Sequence, residues 1–139
     1  MPRMRYLVIT AALLLATGLA QADIAMVTNA DNGIDQLSQS DALNIFMGRY
    51  RKLPSGALAL PIDLAPLKAR FYHALVHKDL AEINSYWARL VFSGQGSPPQ
   101  QADSAAEVIN LVVHNPSALS YVDAARVTPE MHVVLVLSE

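Results

Sequence analysis

The sequence predicts an α/β fold, a single sheet with helices on both sides, and three observations carry that expectation. Short apolar segments bounded by turn residues recur along the chain: Ile24 to Thr28, Leu58 to Ile62, Leu119 to Val122 and Val133 to Leu137. They read as strands. Between them lie stretches with apolar residues three and four apart, the period of an amphipathic helix. Strands that alternate with such helices bury both faces of their sheet, which gives a three-layer domain.

The chain opens with a leader. Arg3 and Arg5 precede a run, Tyr6 to Ala20, broken only by Thr10, Thr17 and Gly18, and Ala20-Gln21-Ala22 forms a small-x-small cleavage site before Asp23. A positive start, an apolar middle and small residues at the cut are the parts of a secretory signal. The run is short for a membrane span, which needs about 20 apolar residues. Residues 1–22 are therefore read as a cleaved signal peptide and residues 23–139 as one exported domain, periplasmic and not membrane-spanning after cleavage.

In that domain Ile24 to Thr28 is the first strand, ended by the turn residues Asn29-Ala30-Asp31-Asn32-Gly33. Ser38 and Asp41 resemble a capping box ahead of Leu43, Phe46 and Met47, and Gly48 closes that helix. The turn Pro54-Ser55-Gly56 leads to the second strand, Leu58 to Ile62. Pro66 opens a helix to about His77, and Asp79 with Glu82 caps the next, through Ile83, Trp87, Leu90 and Val91. Residues 93–103, rich in Gly, Pro, Ser and Gln, read as a loop. Ser104 with Glu107 starts a helix through Val108 and Val112, which Asn115-Pro116 ends because a residue before proline avoids the helical region. Two strands follow, and the order is β-α-β-α-α-α-β-β.

Composition excludes several functions. There is no cysteine, so thiol catalysis and thiolate metal sites are ruled out and stability must come from an apolar core. Without the leader, eight Lys and Arg face twelve Asp and Glu, a net charge of −4. A mildly acidic domain is poorly suited to nucleic acid, whose phosphates require clustered cations. Arg49, Arg51 and Lys52 read as a solvated helix end.

His73 and His77 stand four apart on one helix face but lack further ligands in sequence, so no metal and no cofactor is expected. Gly94-Gln95-Gly96 follows a helix and precedes Pro98-Pro99, unlike a dinucleotide loop. Ser93 sits in no nucleophile elbow, and the sequence contains no catalytic constellation. The segment Ile62 to Arg70 is different: a strand feeds a helix start, where free amides and the dipole favour an anion. Lys68 and Arg70 lie in its first turns, with Asp63 read as their partner and as the helix cap. Trp87, the single tryptophan, reads as a core anchor.

Several stretches resemble the phosphate-type periplasmic substrate-binding proteins, in particular their short single-lobe relatives. Leu37 to Arg49 is similar to that family's helix ending in Phe-x-Gly-Lys/Arg. Tyr86-Trp87 with Phe92-Ser93-Gly94-Gln95-Gly96-Ser97-Pro98-Pro99 is similar to the short members' W…F-(S/T)-G-x-G-x-P-P, and Val112 to Val122 to V…NPGAIGYV. The resemblance, over residues 37–122, implies a three-layer single lobe of a type 2 periplasmic-binding-protein-like fold and binding without catalysis. The candidate ligand-binding residues for a small oxyanion such as phosphate are Asp63, Lys68 and Arg70, at the strand-to-helix turn, with Ser93 and Gly94. The alternative is a module that docks on a membrane transporter or envelope sensor and takes no small ligand. The family's Arg-x-Asp-x-Ser-Gly-Thr is replaced here by Asp63-Leu64-Ala65-Pro66-Leu67, and Ser117 and Ser120 stand where glycine is usual.

Overall fold

A computed structural model describes residues 23–138. The leader expected over residues 1–22 lies outside the described residues. The elements are β1 (Ile24–Asn29), α1 (Gln39–Phe46), β2 (Leu60–Leu64), α2 (Lys68–Val76), α3 (Leu80–Phe92), β3 (Gln100–Ala102), α4 (Ala105–His114), β4 (Ala118–Asp123) and β5 (Met131–Leu137). One sheet runs in the order β3-β2-β4-β1-β5. β2 is parallel to β3 and β4, while β1 is antiparallel to both β4 and β5, so β1 alone runs against the rest.

The helices begin where side chains can cap them. Ser38, Asp79 and Ser104 accept the N–H of Asp41, Glu82 and Glu107 at 3.0, 2.8 and 3.2 Å, satisfying amides that have no partner within the helix. Alternation along the strands then fixes the layers. Tyr121 of β4 stacks on Phe71 of α2, ring centroids 3.7 Å apart, and lies near Phe46 of α1. That face of the sheet is covered by α1 and α2. On the other face Asn29 donates to the Val112 and Val113 carbonyls at the end of α4, at 3.0 and 2.9 Å. With a helix on each side, every residue of β1 is buried. α3 packs outside on α2.

Two segments differ from the sequence expectation. The stretch 93–103 is not all loop, because Gln100–Ala102 forms β3; two of its three residues are exposed polar side chains, so no apolar alternation announced it. The second strand starts at Leu60 rather than Leu58. Leu58 is 64% exposed and bridges to Lys52, closing the turn before the strand.

Candidate functional site

Asp63 lies one residue from the end of β2 and is 2% exposed. It does not cap the following helix, as the sequence suggested. Among the described residues no side chain caps either the 3-10 turn Ala65–Leu67 or α2. The carboxylate points into the α1/α2 side of the core, where the Tyr72 hydroxyl donates to Oδ1 and Oδ2 at 3.0 and 3.1 Å and the Tyr121 hydroxyl to Oδ1 at 3.0 Å. A carboxylate removed from water needs such donors. Burial raises its pKa, opposed by the Tyr72 hydrogen bond, by the charge of Lys68 and by the Tyr121 hydrogen bond. Burial, with Asp63 beside them, also raises both phenols. Tyr121 is further bonded to the Leu64 backbone, which ties this network to the turn that follows.

That turn forms one wall of an open cleft of about 300 Å³. Leu64, Pro66 and Leu67 supply its apolar side. Asp103 and Ser104, between β3 and α4, with Asp123, the last residue of β4, and Arg126 beyond it, complete it. The cleft thus lies at the carboxyl ends of three neighbouring parallel strands, where open α/β sheets bind ligands. Asp123 accepts the Ala125 N–H at 3.3 Å through Oδ1. Glu107 reaches back from α4 to accept the Asp103 N–H, just ahead of the helix, at 2.9 Å, and Ser104 accepts the Glu107 N–H at 3.2 Å.

The residues expected to form the site are not all brought together. Lys68 begins α2 and its charge reaches Asp63; Arg70 is half-buried on the same helix. Ser93 and Gly94 lie at the end of α3, where the Ser93 hydroxyl donates to the Arg89 and Leu90 carbonyls and Gly94 adopts φ +71°. None of the five expected residues, Asp63, Lys68, Arg70, Ser93 or Gly94, lines the cleft. Asp103, Asp123 and Arg126 were missed. Their signal was positional, charged residues at or just beyond the ends of strands, and β3 was invisible in sequence. Ser120 fits its buried place by donating to the Ile62 carbonyl at 2.8 Å.

Comparison with solved structures places this architecture. The chain is similar to a phosphate ABC transporter substrate-binding protein from Clostridium perfringens, solved with bound phosphate, at TM-score 0.63 and 16% identity over 81% of this chain and 45% of that one. It is also similar to an ABC-type phosphate transport receptor from Vibrio cholerae, at TM-score 0.54 and 14% identity over 81% of this chain and 46% of that one. The fold is that of a periplasmic-binding-protein lobe. The chain spans less than half the length of either structure. Its sequence matches no protein-family model and no curated protein.

Proposed function

We propose that this chain is an exported, non-catalytic binding domain that serves an envelope transporter or sensor and takes its ligand in the strand-end cleft. The observation that carries the reading is the position of that cleft. It sits where α/β sheets bind ligands, in a fold shared with two transport receptors. The oxyanion expected at residues 63–70 is one ligand to test there. The uncapped start of α2 favours it, and the inward-turned Asp63 weakens it.

A thermal-shift panel of phosphate, sulfate, amino acids and sugars on the exported protein tests binding. A ligand at 100 times its dissociation constant stabilises by about 2.7 kcal/mol. No shift with any of them would remove the reading. Intact-mass analysis of the periplasmic fraction tests export: a chain starting at Asp23 is expected, and an unprocessed cytoplasmic chain would contradict it.

A docking module is the second reading, favoured by Phe92, which is 95% exposed, beside the exposed Val91 at the end of α3. Large apolar side chains left in water mark contact surfaces when they cluster. A cross-linked envelope partner lost on Phe92→Glu would support it, and an unchanged capture pattern would count against it.

A further inference from the structure

We infer that the cleft ligand is a small zwitterion, carrying an ammonium and a carboxylate on a short apolar body. The inference rests on the binding role proposed above and deepens it. Asp103 and Asp123 against Arg126 leave the lining one negative charge in excess. A bare oxyanion meets net repulsion there, whereas an ammonium has two carboxylates and a carboxylate has the guanidinium fork.

These charges are available. Among the described residues the Asp103 carboxylate and the Arg126 guanidinium make no hydrogen bond or ion pair, and Asp123 commits one oxygen to the Ala125 N–H at 3.3 Å. At the start of α4 the Asp103 and Glu107 N–H groups are already taken, by the Glu107 and Ser104 side chains. Leu64, Pro66 and Leu67 offer the apolar wall. At about 300 Å³ the cleft is at the small end of the range for ligand pockets, about 300–1,000 Å³, which limits the ligand to amino-acid size.

Calorimetric titration of the exported protein with four probes tests this. L-leucine has both charges, isopentylamine only the ammonium, 4-methylpentanoate only the carboxylate, and inorganic phosphate is the oxyanion. Saturable binding of leucine is expected, at least tenfold tighter than either singly charged analogue, with Asp123→Asn weakening the ammonium contact and Arg126→Gln the carboxylate contact. Arg126 is exposed and Asp123 half-buried, and an unchanged melting curve confirms that both variants fold. Phosphate binding without leucine binding would overturn the inference while leaving the binding role intact. Silence from all four probes would overturn the zwitterion, and silence across the wider ligand panel would remove the binding role as well.

Discussion

The corner where α1 meets α3 and the cleft at the ends of β2, β3 and β4 use their residues in opposite ways. At the corner Trp87 lies over Gly48, so close that a Cβ on Gly48 would stand 2.7 Å from the indole; Gly48 also has φ +71°, which disfavours any side chain. A Cβ on Gly96 would stand 3.7 Å from the same ring, and the Tyr86 hydroxyl donates to the Met47 carbonyl at 2.6 Å. The Phe-x-Gly-Arg and Trp…Gly-x-Gly stretches are thus one packing unit. The cleft instead presents exposed charges, and its sequence departs from the phosphate binders at the place where their Ser-Gly-Thr stands. What this chain retains of the family resemblance is architectural, and the ligand chemistry is free to differ.

That contrast predicts a ranking of effects. Trp87→Ala should cost the most, about 3–5 kcal/mol, as a large buried side chain leaves a cavity. Urea melts followed by circular dichroism would read it; a loss under 1 kcal/mol would deny the corner its structural role. Gly48→Ala should cost about 1–3 kcal/mol, since it adds backbone strain and displaces the indole. The fluorescence of the single tryptophan should shift with it. Ser104→Ala should cost about 1 kcal/mol as a lost helix cap. Asp103→Asn in the cleft should change stability by no more than about 0.5 kcal/mol, as an exposed substitution does. A cleft variant that destabilised as much as the corner variants would erase the distinction.

Asp63 supplies a pH test between these regions. Its folded pKa is raised, so folding favours the protonated carboxyl. The folded state binds the proton more tightly than the unfolded chain, and the stability linked to it is full below the ordinary carboxylate value of 3.8 and declines as pH rises above it. Asp63→Asn removes this dependence. The stability of the wild type relative to the variant should therefore fall between pH 4 and pH 8 in paired urea melts; a rise over that interval would contradict the assignment.

Much of the fold was readable because its signals are local. The caps at Ser38, Asp79 and Ser104 each need only one hydroxyl or carboxylate three residues before an amide, and all three hold. The apolar periods that marked α1 to α4 also recover the layers. β3 escaped because a short, polar edge strand carries no alternation, and its existence depends on β2 lying alongside. The role of Asp63 escaped for the same kind of reason: its partners Tyr72 and Tyr121 are 9 and 58 residues away and meet it only in the folded core. The cleft was illegible in sequence because three separate strand ends build it.

The most direct test of the central claim is a map of backbone amide shifts during titration of the labelled exported protein with L-leucine. The account predicts saturable changes confined to residues 64–67, 103–105 and 123–126, around the cleft. Changes centred on Val91 to Gly94, or none that saturate, would contradict it.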